Sequence, residues 1–361
     1  GDDWAKGATE TKVPFEEVSV ADLLKAEPRI NPRISRAFKV EDGSVDGWQL
    51  VWGAANSAKQ YGAQILTYHR VTGITRDGDR VAQVICTDEK TGEEVRITTN
   101  FVLNCAAAWG GQIAAMADCP DVQVVPGAGI MIAMNHRITN SVINRLTYPA
   151  DGDILVPVHT VCVIGTTDQK ADDPDQLKID WDEVQQMMDC GELLIPGFRK
   201  ARAIHAWAGA RPLVKDSRVG SGDTRHMSRG MSIIDHSDRD GLKGLLTIAG
   251  GKLTTYRLMA EKVVDAMCAQ LDDPRPCRTA TEQVPGSESG KNYVITHRLE
   301  EREHDRTDDQ ILCECELMSR GMFTRALQDQ PKGSFDDLRR QLRLGMGPCQ
   351  GGMCGITVTQ V

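Results

Sequence analysis

What the chain lacks narrows its function first. No run approaches the roughly 18 apolar residues that a membrane span needs, and the opening "GDDWAKGATE" is not a charged-then-apolar leader. Any membrane role is therefore expected to go through partners, with no direct span. A basic excess is missing too. Lys and Arg number 42 against 51 Asp and Glu, a formal net charge of -9, which argues against nucleic acid because phosphate binding wants clustered cations. Nor do the cysteines form a disulfide framework: the 11 are odd in number, scattered singly, and paired only near the end. That usage suits a reducing compartment with a metal site, so a cytoplasmic location is expected. The phosphate-gripping G-x-G-x-x-G is also absent, since "GAGIMI" (127–132) and "GSGDTR" (220–225) lack the third glycine and the strand, turn and helix setting.

What is present begins with size. With 361 residues, 40% hydrophobic and 26% charged, the chain can bury a sizeable core, and its length suggests two or three domains. "SVADLLKAEP" predicts a short helix from Ser19 stopped by Pro28, and "AFKVEDGSVD" a short strand and acidic turn. Apolar residues at helical spacing predict a helix over 48–61, closed by Gly62. From Ala63 the chain alternates β-rich runs with the turns "RDGDR" and "EKTGEE" and returns in "FVLNCAAAWG". Between Gln123 and Asp235, the segments "GIMIAM", "DILVPV" and "VCVIGTT", with one helix near 182–194, predict an antiparallel sheet.

In "GLLTIAGGKLTTYRLMAEKVVDAMCAQL" a strand meets a double glycine and then a long amphipathic helix from about Leu253. Such a turn lets a ligand approach the backbone, and the helix N-terminus offers free N–H groups to an anionic or carbonyl oxygen, with the charge of Lys252 beside it. An ordinary tight turn with a surface lysine explains "GGK" equally well. Beyond the polar linker, "ILCECE" and "GMGPCQGGMC" set Cys313, Cys315, Cys349 and Cys354 around helical runs. A module of some fifty residues is helped by a staple, and four thiolates can hold zinc or an iron–sulfur cluster. The C-x-C spacing is tighter than usual for zinc, and glycine-rich backbone can turn N–H groups toward cluster sulfurs, which favours a 2Fe-2S cluster.

The stretch "CECE" followed by "GMGPCQGGMC" resembles the 2Fe-2S domain of bacterioferritin-associated ferredoxin type. The larger part, through "VDGWQLVWGAANSAKQYGAQILTYHRVTGI", "VLNCAAAWG", "DILVPV", "VIGTTD", "AGARPLV" and "IAGGKLTTYRLMAE", resembles FAD-dependent glycerol-3-phosphate dehydrogenases, specifically the A subunits of the anaerobic type. The resemblance implies an α/β and α+β architecture: a Rossmann-like FAD-binding fold of the glutathione-reductase and D-amino-acid-oxidase kind, an antiparallel-sheet substrate domain and a small helical iron–sulfur domain. Its amino-terminal G-x-G-x-x-G segment is expected to lie outside this chain, as does sequence that the family carries beyond Cys354. The implied divisions are 1–122 and 245–278 for the FAD part, 123–244 for the substrate sheet, 279–308 for a linker and 309–361 for the cluster.

The resemblance also implies roles. Gly250, Gly251, Lys252, Leu253 and Thr254 would lie near flavin N1 and the C2 carbonyl, with Val71 meeting the adenine through its backbone and Asn104 and Trp109 beside the cofactor. "NCAAAWG" has alanine where the family motif has glycine. Arg211 would hold the substrate near the flavin, and Thr166, Thr167 and Asp168 would line its cavity, although "GTTD" is equally a capped β-turn. His159 and His226 are candidate bases for oxidising glycerol 3-phosphate to dihydroxyacetone phosphate, each with a structural alternative. A flavin collects two electrons and a 2Fe-2S cluster carries one, so the implied route leads through partner subunits to membrane quinone, with the chain peripheral at the cytoplasmic face of the inner membrane. Two other readings stay open: a related FAD-dependent 2-hydroxy-acid or amine oxidoreductase, and a non-catalytic iron–sulfur protein of electron transfer.

Overall fold

The computed structural model describes residues 14–146, 153–214, 230–288, 295–305, 309–330 and 333–361. His226 and "GSGDTR" fall outside them.

Strand β1 (Phe15–Val18) pairs antiparallel with β2 (Ala37–Val40). Between them runs the expected helix, Val20–Ala26, with Ser19 at its N-cap accepting from the Asp22 N–H at 3.1 Å. The next helix, Gly47–Gln60, is capped by Asp46 and ends before Gly62, whose φ of 87° supplies the left-handed turn. β3 (His69–Asp77), β4 (Arg80–Asp88) and β5 (Glu94–Thr98) form the antiparallel meander. β6 (Val102–Asn104) returns, and "AAW" then makes a short 3-10 turn over Ala107–Trp109.

The five-stranded sheet is built on β7 (Val124–Met134). β8 (Ile154–Val158) and β9 (Val161–Gly165) form a hairpin joined to it through β9, the short β10 (Gln169–Lys170) pairs with one end of β7, and β11 (Ala203–Val214) covers its other edge. All of these pairings are antiparallel, as the sequence predicts. Strand alternation sends Ile130, Ile132 and Met134 of β7 to one face, where they pack with Leu155, Ile164, Met187, Leu194 and Phe198. The helix Trp181–Leu194 closes this core, and Gly191 allows it: a Cβ there would lie 2.3 Å from the Phe198 ring.

β12 (Met231–Asp235) and β13 (Leu245–Gly250) pair antiparallel, and β13 runs parallel to β6. All six residues of β13 are buried. The helix expected from Leu253 begins instead with a 3-10 turn, Leu253–Thr255, and becomes α-helical over Tyr256–Gln270. Lys252 is extended, so the chain needs one extra turn to enter the helix.

The last fifty residues have a core of their own, with Leu312, Met318, Phe323, Leu338, Leu342, Leu344 and Val358 packed around Cys313 and Cys354. Helices Arg320–Asp329 and Phe335–Leu342 match the helical runs of the sequence. The hairpin of β14 (Ile311–Cys313) and β15 (Met318–Ser319) was not legible there, because its strands are too short for alternation to show. Cys354 opens a short helix, Cys354–Thr359.

Candidate active site and thiol centre

β11 places Arg211 opposite Gly127 of β7, and the guanidinium reaches past β7 to the residues that follow β9. It donates to the Thr166 hydroxyl at 2.9 Å and the Thr167 carbonyl at 3.0 Å, and pairs with Asp168 at 3.3 Å. Its Nη1 also lies 3.5 Å from the Gly127 and Ala128 carbonyls, and its side chain remains 29% exposed while that of Asp168 is 9%. The crossing exists because residue 129 is glycine: a Cβ there would lie 2.3 Å from the Thr166 hydroxyl oxygen and 2.6 Å from Arg211 Nη2. Sequence reading passed over Gly129, whose only signal was its place in the "GAGI" run.

Thr167 differs from expectation. Its hydroxyl is buried, accepting from the Ile130 N–H at 3.0 Å and donating to Glu183 at 2.5 Å. It ties the sheet to the helix beneath, leaving Thr166 as the threonine hydroxyl that meets Arg211.

The double glycine lies nearby, since Val214 at the end of β11 is 3.2 Å from where a Gly250 Cβ would stand. Gly250 and Gly251 have φ of 76° and 78°, and side chains there would strike the Gly230 carbonyl and the Met259 sulfur. Such a backbone is glycine territory. Lys252, Leu253 and Thr254 are exposed at the start of the helical segment. The Ala107–Trp109 turn packs against β7, β11 and β13, which gathers these strands and the turn into one neighbourhood. Trp109 donates from its indole to Asp175 at 3.1 Å.

Asn104 is buried and fully engaged, donating to the Gly110 carbonyl at 2.8 Å and to Thr247 at 3.1 Å, and accepting from the Ala106 N–H. It shapes the turn from within. Behind it, His236 Nε2 meets the Thr247 hydroxyl at 2.8 Å and Nδ1 meets Asp240 at 2.5 Å. Burial pushes the His236 imidazole below its ordinary value, toward the neutral form. Cys119, His236 and Asp240 bring their ligand atoms within 4.8 Å of one another. Two guanidiniums crowd that trio: Arg76 lies 3.6 Å from the Cys119 sulfur and Arg239 lies 3.3 Å from Asp240. The set is a hydrogen-bonded support rather than a cation site.

Val71 sits apart on the β3–β4–β5 meander, opposite Cys86, where a bulge interrupts the pairing. His159 is also removed from this neighbourhood, and its reading as the base is withdrawn. It forms the turn between β8 and β9, so the length of β9, roughly 17 Å for five residues, separates it from Thr166. Its Nδ1 instead donates to buried Glu316 at 2.5 Å.

The four cysteines converge. Cys315 and Cys349 sulfurs are 3.8 Å apart. Burial, with Cys313 alongside, pushes the Cys354 thiol up to about 12. Cys315 is likewise raised by burial, whereas the backbone N–H of Met353, joined by that of Gly351, holds Cys349 below its usual value. Among the described residues, only Cys119, His236 and Asp240 make a trio within 4.8 Å, so no three of these thiols are that close. A single tetrahedral zinc would set all its sulfurs about 3.8 Å apart. Four neighbouring thiols, with amides aimed at one sulfur, fit a thiolate-bound metal centre.

For FAD, the residues present fit the ring end: positive-φ glycines that permit close approach, an exposed lysine and a helix start. No G-x-G-x-x-G is present in the chain to grip a pyrophosphate.

A cleft of about 2800 Å³ opens elsewhere, between helix Gly47–Gln60, the five-stranded sheet and the cysteine module, with Trp48, Trp207, His159 and Arg343 among its lining. Arg211, Thr166 and Lys252 do not line it.

Residues 2–257 match the FAD dependent oxidoreductase (DAO) family profile. The chain is 38% identical to the A subunit of anaerobic glycerol-3-phosphate dehydrogenase from Escherichia coli K12, over 97% of this chain and 68% of that protein. It is 36% identical to the A1 subunit of the Haloferax volcanii enzyme of the same name, over 97% and 64%. In fold it is similar to a glycerol-3-phosphate dehydrogenase from Bacillus halodurans solved in complex with FAD, with a TM-score of 0.63 at 21% identity, covering 81% of this chain and 57% of the other. The chain thus spans about two thirds of the length of the curated relatives and less of the solved one.

Proposed function

The chain belongs to the FAD dependent oxidoreductase family, in the branch of the anaerobic glycerol-3-phosphate dehydrogenase A subunits, and from that premise we propose that it oxidises sn-glycerol 3-phosphate to dihydroxyacetone phosphate. The observation that carries this reading is the partly exposed Arg211 cation on β11, the strand whose end meets the Gly250–Gly251 turn. A planar guanidinium binds a phosphate dianion through two parallel hydrogen bonds. Thr166 and Asp168 fix its orientation before substrate arrives.

FAD, when bound, supplies the two-electron acceptor for the hydride leaving C2 of the substrate. Lys252, with the free N–H groups of the turn at Leu253 and Thr254, would hold the ring's C2 carbonyl end, where a positive environment favours charge that develops on reduction. Asn104 and Trp109 keep the adjoining turn in shape, and Val71 would meet the adenine through its backbone.

Cys313, Cys315, Cys349 and Cys354 would hold a 2Fe-2S cluster that passes electrons singly to partner subunits and on to membrane quinone. Supporting this are the two thiol pairs, the amides facing Cys349 and the names of the relatives, which are those of single subunits within a larger dehydrogenase. No helix among the described residues is long and apolar enough to cross a membrane, which agrees with a peripheral place at the cytoplasmic face through those partners. The proposed divisions are an FAD part (1–122 and 245–278), a substrate sheet (123–244), a linker (279–308) and a cluster module (309–361).

The test is anaerobic bleaching of the flavin absorbance by glycerol 3-phosphate, set against a 2-hydroxy acid and a secondary amine. Bleaching by the phosphate ester alone supports the proposal. Bleaching only by a carboxylate substrate would assign Arg211 to a carboxylate and the chain to another branch.

A further inference from the structure

Glu316 follows Cys315 directly and is fully buried, yet its carboxyl is only half satisfied. Its Oε2 accepts from His159 Nδ1 at 2.5 Å and Arg343 Nε at 3.2 Å, while Oε1 has no hydrogen-bond partner. Arg343 in turn reaches Asp46, the N-cap of helix Gly47–Gln60, at 2.9 Å. The backbone is held as well: Arg298 donates to the Glu316 carbonyl at 2.5 Å, and the Thr160 hydroxyl to the Cys315 carbonyl at 3.4 Å. A carboxylate buried in this way is weak support for stability in itself, and its use is in fixing geometry.

The geometry fixed is specific. His159 and Thr160 are the two-residue turn between β8 and β9, and β9 runs from that turn directly to Thr166, the partner of Arg211. One strand therefore has the Cys315 turn at one end and the proposed substrate cation at the other. Gly347 completes the contact, since a Cβ there would lie 2.2 Å from Cys315 Cβ and 3.3 Å from the Thr160 hydroxyl.

We propose that Glu316, held by His159 and Arg343, is a positioning residue that locks the Cys313–Cys315 turn onto the end of β9, so that the cysteine centre keeps one fixed placement relative to the flavin site. The inference rests on the cluster reading above. With the lock intact, electrons that the substrate delivers to the flavin cross singly to the iron centre over a constant path, and a one-electron acceptor of the partner subunits removes them. Loosening the lock slows that crossing and leaves the first step alone, because His159 lies a strand's length from Arg211.

The experiment compares His159→Leu, which removes the donor to Glu316, with His159→Gln, which retains one. Amide hydrogen exchange over 311–316 is read first, on protein with and without iron. Protection is expected to fall at least tenfold in His159→Leu and to stay within about threefold of the parent in His159→Gln. In the loaded protein, stopped-flow absorbance separates flavin bleaching by glycerol 3-phosphate from iron-centre reduction. The second rate is expected to drop at least tenfold in His159→Leu alone, with bleaching rate and iron content unchanged. Unchanged exchange, or equal iron-centre rates in both variants, overturns the positioning role. Parent protein that bleaches but binds no iron overturns the cluster reading and the electron path with it, while the exchange result still decides whether the lock exists.

Discussion

The Arg211 guanidinium reaches the Thr166 hydroxyl at 2.9 Å from a strand two positions away in the sheet. That contact fixes the direction in which the cation points across β7. Replacing Arg211 by Lys keeps the charge and removes the fork, so the loss should appear in binding of the phosphate. Charge-assisted hydrogen bonds of about 1.5–3 kcal/mol correspond to a rise in KM of roughly 10- to 100-fold. Steady-state kinetics with an artificial electron acceptor measure it, and an unchanged KM removes Arg211 from the substrate site.

Gly129 gives an independent check on the same cation. Gly129→Ala would drive a methyl into the Thr166 hydroxyl, the Thr167 carbonyl and Arg211 Nη2, costing about 1–3 kcal/mol of stability by overpacking and raising KM in parallel. Gly209→Ala on the neighbouring strand is the control, because its Cβ would meet Met131 Cε at an ordinary 3.8 Å. Thermal melts and kinetics on the pair should separate them; similar behaviour would mean that the Arg211 crossing is not what glycine at 129 protects.

His236 predicts a pH dependence of stability. Its folded value is depressed by burial, so between the ordinary value near 6.5 and the lower folded one the unfolded chain binds more protons than the native state. Its contribution is complete above pH 6.5 and is lost as pH falls through the folded value. Urea denaturation of His236→Gln should show a deficit of about 1–3 kcal/mol at pH 7.5, narrowing toward pH 5.5 as the parent loses stability. A deficit that widens on acidification would reverse the sign.

Cys349→Ser should abolish iron binding and its visible absorbance, because the serine lacks the thiolate that the Met353 and Gly351 amides favour. Flavin bleaching by substrate should persist. Iron content and the spectrum before and after glycerol 3-phosphate read both results at once, and full iron occupancy in the variant would take Cys349 out of the ligand set.

Much of this was legible in sequence because it rests on local chemistry. The Ser19 cap, the Gly62 helix stop and the double glycine each announce a backbone requirement, and the two cysteine pairs announce a shared centre. What was not legible depends on distant partners. Nothing in "VPVHTVC" says that His159 is to meet a glutamate 157 positions later; as a lone histidine near a substrate sheet it invited a catalytic role. Thr166 and Thr167 are adjacent and chemically alike, and only the register of β7 and β9 turns one to Arg211 and the other to Glu183. Gly129 and Glu316 were passed over because their meaning lies wholly in what crosses them.

The central claim is that this chain oxidises glycerol 3-phosphate on its flavin. An anaerobic titration with substoichiometric glycerol 3-phosphate, following flavin absorbance and assaying dihydroxyacetone phosphate, tests it most directly. The account predicts bleaching in proportion to added substrate, with one dihydroxyacetone phosphate formed for each pair of electrons taken up by the flavin and iron centre. Flavin that stays oxidised while bound and accessible, with no ketone product, would contradict it.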